Sequence, residues 1–411
     1  MQFYSENANP SDFAIARLHQ QSRGAFFFKV AAVVVVTVYI SNLHGYLYTV
    51  GDAFKLLHYQ LAVIGLAAIA LIVRHEAILH RLPSALIIWI GLFLILIFSS
   101  FLSSAQTQAS VDQMIFGLRA GVLLFSFTVL LVPEYRSKEV LYALVFCVLL
   151  AVGLHVYDFL NPTFSSNFGR AAGFHQNSNA SGKVVAIAMV LSCVVLPKPI
   201  RLVYCVIAGI AVLITFSRSA MLLWVIGIIG LAATGNLVFR SKVAAVIVFG
   251  GLGLLTILAI VSGSMLDAFQ AVGLDKYLTT GTLSRLGGDA AELQDASAAG
   301  RINVLWHSLA EFQKHPWFGS GLGATSEWIS LQRPHNLYLM LAVEAGIFGL
   351  LVFLALIATL WFHTNAVGRV AVVMYAVSSF FTHNNLEHPA TLCLLAIMIA
   401  LYPRTDTMLA R

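Results

Sequence analysis

Apolar runs long enough to cross a bilayer follow one another along almost the whole chain, and this pattern constrains the fold more than any other feature. The hydrocarbon core of a membrane is ~30 Å thick and takes about 20 helical residues to cross. Inside it every backbone amide and carbonyl needs a partner within the protein, so such runs are helices. They are too long and too uniformly apolar for a barrel, whose strands alternate. The candidate segments are 26–43, 57–73, 84–103, 112–132, 138–160, 180–196, 199–216, 219–235, 242–264, 335–362, 366–382 and 389–402. The expected fold is an all-α polytopic membrane protein of about 12 transmembrane helices. Composition agrees: 59% of the residues are hydrophobic and 10% charged, where a soluble domain is nearer a quarter charged.

The net charge of +6 could suggest nucleic acid as a partner, but its distribution does not. Arg17, Arg23, Lys29, Arg74, Arg81, Arg136, Lys138, Lys198, Arg201, Arg240, Lys242, Arg369, Arg404 and Arg411 fall on one alternating set of loops. The opposite short loops and helix mouths hold only Lys55, Arg170, Lys183 and Arg218. The positive-inside rule therefore predicts that both termini are cytoplasmic. No cleavable signal peptide is expected, because the chain through Gln21 is polar. Cys147, Cys193, Cys205 and Cys393 all lie in apolar runs and read as packing residues.

One integral membrane domain results. Residues 1–264 would carry helices one to nine, 265–334 a long extracytoplasmic loop, and 335–411 helices ten to twelve. Within the loop, 273–300 is rich in Gly, Ala, Thr and Ser and reads as mobile. Ile302, Leu305, Trp306, Leu309 and Phe312 have helical spacing, so 301–314 reads as an amphipathic helix at the membrane surface or against the bundle. Gly300 would precede it and Pro316 stop it.

Positive charge on the outer side departs from the orientation rule and points to an anionic ligand. Arg170, Lys183, Arg218, Arg285, Arg301 and Arg333 are there, and the arginine fork suits phosphate. Arg119 lies inside the fourth run, ~10 Å deep, where an ionisable group is a functional candidate. It could equally pair with Asp158. The stretch Gly169–Ala180 leads into the sixth run with Asn177 or Asn179 as the cap, either a simple entry loop or a phosphate-attracting helix start. Thr215-Phe216-Ser217-Arg218-Ser219-Ala220 is a hairpin too short to carry Arg218 far from the bilayer. Arg333-Pro334-His335-Asn336 opens the tenth run, with Pro334 suited to a first turn and His335 at an outward-facing helix start. There the helix dipole favours neutral imidazole, able to accept a proton. The run 335–362 would be ~42 Å long unless the Gly346–Gly349 region kinks it. Glu344 reads as a buried structural partner. Asp289, Glu292 and Asp295 read as solvated. No zinc-protease, Walker, dinucleotide or nucleophile-elbow motif occurs, so neither a metal nor a nucleotide cofactor is indicated.

At these residues the chain resembles the O-antigen ligase and polymerase superfamily of bacterial envelope glycan enzymes, over roughly 165–365. Gly300-Arg301-Ile302-Asn303-Val304-Leu305-Trp306, then Pro316 and Gly319-Ser320-Gly321-Leu322-Gly323, form one element of the likeness. His335-Asn336 followed by Gly346-Ile347-Phe348-Gly349 is the second, and Ser217-Arg218-Ser219-Ala220 the third. The combination is most like the ligase branch, although Asn177-Ser178-Asn179 stands where many relatives have Asn-Pro-Asn. The resemblance implies an inner-membrane enzyme with its site facing the periplasm. Its donor would be a glycan on undecaprenyl pyrophosphate and its acceptor lipid A-core oligosaccharide. Arg218 and Arg301 would face the pyrophosphate, with Arg170, Lys183 and Arg119 in reserve. His335 would activate the acceptor hydroxyl, with Asn336 and Arg333 beside it. A polymerase and a protein O-oligosaccharyltransferase are the near alternatives. A transporter or lipid flippase is the distant one, and it would need deep charges in several runs where only Arg119 is evident.

Overall fold

The computed structural model describes residues 26–51, 55–102, 107–134, 137–166, 169–237, 291–328 and 333–404, with the backbone alone for Ser100 and 291–302. Among them there is no strand, only an isolated bridge between Thr364 and Pro403. The helices are α1 (Phe26–Ile40), α2 (Leu43–Val50), α3 (Leu56–Val73), α4 (His75–Leu79), α5 (Ser84–Phe98), α6 (Gln108–Leu131), α7 (Lys138–Leu160), α8 (Ser178–Cys193), α9 (Lys198–Ile214), α10 (Arg218–Ala233), α11 (Ala291–Lys314), α12 (Leu337–His363), α13 (Ala366–Ser378) and α14 (Pro389–Leu401). Every expected segment except 242–264, which lies outside the described residues, coincides with one of them.

Length divides these helices. Leu56–Val73, Gln108–Glu134, Lys138–Leu160 and Leu337–His363 are long and apolar enough to cross a membrane. Phe26–Ile40 and Leu43–Val50, bent by 62° at their junction, make a fifth if they form one span. α5, α8, α10, α13 and α14 are shorter apolar helices, so the expected dozen full spans is not what helix length alone supports. Local chemistry shortens them. In α13, the hydroxyls of Ser378 and Ser379 both donate to the Tyr375 carbonyl and the run turns away before Thr382.

α8 and α14 are the centre. Residues 181–193 and 390–402 are buried throughout, with α7, α9, α10 and α13 around α8, and α6 against α14. A helix buried on all sides in a membrane bundle packs through small residues. A Cβ on Gly182 would lie 2.6 Å from that of Ala220, and one on Gly227 2.7 Å from Val190 Cγ2, so bare glycines let α8 and α10 touch. The four cysteines are unbonded and buried in this interior.

The two ends of the bundle differ. At one, Lys29 pairs with Glu139 at 3.0 Å and Arg74 with Glu134 at 3.1 Å. Arg201 there donates to the carbonyls of Val194, Leu196 and Asn236. At the other end lie the starts of α8, α10 and α12 and the segment 379–388 joining α13 to α14.

α11 begins at Ala291, ten residues before the start expected at Arg301. Gly300 is inside the helix, and 291–300, read from composition as part of a mobile stretch, is helical. The run Ala291-Glu292-Leu293-Gln294-Asp295-Ala296-Ser297-Ala298-Ala299 is dominated by strong helix formers, which outweigh one glycine.

α12 is broken at Gly346, whose φ is +67° and ψ −160°, which answers the length of the 335–362 run. The segment after α11 fills the break. The Ser320 and Gly321 amides donate to the carbonyls of Val343 (2.8 Å) and Glu344 (3.0 Å). The Ile347 and Phe348 amides donate to those of Pro316 (2.8 Å) and Trp317 (3.2 Å). Buried Glu344 accepts from the Thr325 amide and hydroxyl. Irregular backbone is tolerated at such depth only when protein satisfies it. Residues 316–325 are thus part of the bundle, not of a loop standing outside it.

Candidate active site

An open cleft of about 580 Å³, mouth included, lies at the end opposite Arg74 and Arg201. Lys183, His335, Asn179, Ser219, His383 and Asn384 are among the residues that line it. Caps and tight turns place several of them. Asn177 caps α8, its Oδ1 accepting the amides of Asn179 (3.0 Å) and Ala180 (3.2 Å). About one turn on, Lys183 is only 5% exposed. The ammonium donates to Asn385 Oδ1 at 2.6 Å. Phe216, with φ +48°, makes the sharp turn of the hairpin, and the Ser217 hydroxyl caps α10. This leaves Arg218 exposed as the first helical residue and Ser219 on the cleft wall.

Asn336 caps α12 by accepting the Leu339 amide at 3.1 Å. Pro334 therefore lies outside the first turn in which it was expected, and His335 stands just ahead of the cap, exposed at the cleft. The Leu337 amide donates to the Ser379 carbonyl at 2.8 Å, pinning this helix start to the end of α13. The His335 and His383 rings are 5.6 Å apart. Burial, then the charges of His335, Arg333 and Lys183, push the His383 imidazole down to about 4, so it is neutral at ordinary pH. Its Nδ1 is buried with no hydrogen-bond partner among the described residues. No lining residue is acidic among the described residues. Glu387, whose Oε1 accepts from the Gln113 amide, is pushed up to about 7 by burial and by Glu344. The cleft is a basic and amide-rich surface suited to an anion and to sugar hydroxyls.

The structure sorts the sequence candidates. Lys183 and His335 line the cleft together; Arg218 is exposed and not among the lining residues, although its neighbour Ser219 is. Arg170 is buried and acts as a brace. Its Nε donates to the Thr215 carbonyl (2.9 Å) and its Nη2 to Asn179 Oδ1 (2.8 Å), so it reaches the cleft through Asn179. Arg333 is two residues before His335, and its charge acts on His383 and Glu387. Asn336 serves as the cap. Arg119 is elsewhere, donating to Gln60 Oε1 of α3 at 2.7 Å. The pairing with Asp158 that the sequence left open is not formed. Asp158 instead accepts the amides of Thr163, Phe164, Ala172 and Gly173, a backbone clamp that uses both carboxylate oxygens. The Arg301 side chain and Arg285 lie outside the described residues. Sequence reasoning misses Thr382, His383, Asn384 and Asn385. The available signal is a run of four polar residues between two apolar helices.

Beneath the cleft, His175 and His388 stack with ring centroids 6.2 Å apart. Burial first, then neighbouring charges, lowers both: His175 to about 3, and His388 well below its ordinary value. Unfolding releases them to titrate near 6.5, so between about 3 and 6.5 the unfolded chain binds more protons and stability falls as pH falls. Glu387, raised to about 7, works the other way between 4.5 and 7. The lowered His175, His388 and His383 outweigh Glu387 over most of that window. The thermal midpoint in detergent is expected to drop as pH goes from 7 to 5, with a shallower slope in His175→Asn. Equal slopes in the two proteins would refute this account of the buried pair.

Residues 203–354 match the family model of the O-antigen ligases. The chain thus resembles the O-antigen ligase superfamily, as its motifs imply. No curated protein matches it. The matched stretch holds Arg218, Arg301, Arg333, His335, Asn336 and the break at Gly346, whereas Arg170, Lys183 and the 378–388 segment lie outside it. The match points to glycosyl transfer of the O-antigen ligase or polymerase type, in polysaccharide biosynthesis.

Proposed function

We propose that this protein transfers O-antigen glycan from undecaprenyl pyrophosphate to lipid A-core oligosaccharide at the periplasmic face of the bacterial inner membrane. The observation that carries the reading is the meeting of Lys183 and His335 on one cleft with no acid among its described lining residues. The basic end of the bundle would be cytoplasmic, with both termini there and the cleft outside. The remaining apolar helices and 242–264 would complete the dozen spans, and Trp306 and Trp317, both well exposed, would meet the lipid interface.

In this reading Lys183, Arg218 and Arg301 take the pyrophosphate, near the capped start of α8. Their charge stabilises the leaving group as the anomeric C–O bond breaks. The acceptor hydroxyl oxygen attacks the anomeric carbon from the opposite side, its proton passes to His335, and undecaprenyl pyrophosphate leaves with the electron pair. Configuration inverts, and the step needs no metal.

The test is transfer by purified protein from undecaprenyl-pyrophosphate glycan to lipid A-core, with EDTA and without nucleotide. Glycan-bearing lipid A is the expected product. Longer lipid-linked chains in its place would make the protein a polymerase, and glycan on a Ser or Thr would make it an oligosaccharyltransferase. No transfer to any acceptor by folded protein would sink the transferase reading and favour a transporter.

A further inference from the structure

Asn385 lies in a segment that neither the family match nor the sequence motifs reach, yet it joins the two halves of the cleft. It is fully buried. Its Oδ1 accepts from the Lys183 ammonium at 2.6 Å. Its Nδ2 donates to the hydroxyls of Ser378 (2.7 Å) and Ser379 (2.9 Å). Both serines spend their own protons on the Tyr375 carbonyl, so they can only accept from Asn385. The amide therefore has one orientation: both hydrogens toward the serines and the oxygen toward the lysine. The Ser379 carbonyl in turn accepts the Leu337 amide, two residues from His335. Hydrogen bonds linked through the covalent frame of Ser379 thus connect the lysine to the backbone that carries the histidine.

We propose that Asn385 is a positioning residue that aims the Lys183 ammonium at the donor pyrophosphate and sets its register with His335, an inference that rests on the transferase reading above. A neutral amide suits this task. It fixes the direction of the ammonium and leaves its charge for a ligand, whereas a carboxylate would make the same bond and cancel the charge. Transfer requires the phosphate-holding cation and the base to flank the anomeric carbon at a fixed separation, and errors of about 1 Å there cost roughly 10²-fold in rate.

The experiment measures binding of farnesyl pyrophosphate by calorimetry in detergent for the full-length protein, Asn385→Leu, Lys183→Met and the double variant, with thermal midpoints alongside. Each single change is expected to weaken binding by about tenfold, or 1.4 kcal/mol. The double should be no weaker than Lys183→Met, because the amide acts through the lysine. Asn385→Asp, which keeps the bond to the ammonium and removes the net charge but gives up both bonds donated to the serines, should weaken binding at least as much with a lowered thermal midpoint, and it carries the test if the leucine variant does not fold. In the transfer assay the donor KM should rise in Asn385→Asp while the acceptor KM stays. Binding within twofold of wild type in both the Asn385→Leu and Asn385→Asp variants, or losses that multiply in the double, would overturn the proposal. Wild-type protein that binds the probe but transfers no glycan would sink the transferase reading and leave Asn385 standing. Wild-type protein that does not bind it would sink the role of Asn385 whatever the transfer assay gives.

Discussion

Replacing His335 with alanine is expected to lower glycan transfer by about 10²–10⁴-fold, the usual worth of a positioned general base. Membrane levels and the thermal midpoint should not change, because His335 is exposed and lies outside the cap: Asn336, not His335, accepts the Leu339 amide. Farnesyl pyrophosphate should still bind, since Lys183 and its Asn385 partner are untouched. Arg218→Ala should differ in kind. It removes an exposed cation next to the cleft-lining Ser219, and loss of one such charge-stabilising group costs about 10²–10³ in rate. Its effect should include weaker donor binding, because the charge meets ground state and transition state alike. Full transfer by both variants at normal protein levels would remove His335 and Arg218 from the chemistry.

Much of this site is legible in the amino-acid sequence, and for a physical reason. A membrane sorts charge by side, so Lys183 and Arg218 stand out by lying where the orientation rule places few cations. His335 follows from its place just after a proline at the head of an apolar run. Arg170 and Arg119 are legible as cations but not as to role. What a guanidinium bonds is decided by tertiary neighbours, here the Thr215 carbonyl and Asn179 in one case and Gln60 in the other. Asp158 misleads for the same reason: a carboxylate near an arginine in a helical map is clamping loop amides in space. His383 and Asn385 are hidden because a short polar turn between two helices has no periodicity, and only the fold lays it against α8 and the start of α12. The helix start at Ala291 is lost to a boundary placed at Gly300, where propensity summed over ten residues is the better guide.

The glycines of the Gly319-Ser320-Gly321-Leu322-Gly323 run and of the α12 break mark the most fragile part of the molecule. Gly346→Ala is expected to abolish the folded protein, at a cost on the order of 3 kcal/mol or more. Two penalties coincide there. The φ of +67° with ψ of −160° is a conformation open essentially to glycine alone. A Cβ would also lie 2.4 Å from the Trp317 backbone, which cannot move without breaking the bonds of Pro316 and Trp317 to Ile347 and Phe348. Gly319→Ala meets the same obstacle from the other side, with φ +69° and a Cβ 2.3 Å from the Glu344 carbonyl carbon. Gly235→Ala tests the strain alone, because its φ is +70° but nothing lies within 4 Å of the added carbon. It should cost about 1 kcal/mol. Gly65→Ala, in open space on α3 with ordinary backbone, should be neutral or slightly stabilising. The readout is the thermal midpoint of each variant in detergent. An ordering other than Gly346 and Gly319 far below Gly235, and Gly235 below Gly65, would mean that the segment 316–323 does not occupy the break. The consequence would reach the chemistry. The half-helix 337–345 that places His335 is ~13 Å long and held at its far end by Ser320 and Gly321. Without that plug, the carbonyls of Val343 and Glu344 would be left unpaired inside the bundle, and the helix start bearing the base would have no fixed position against Lys183.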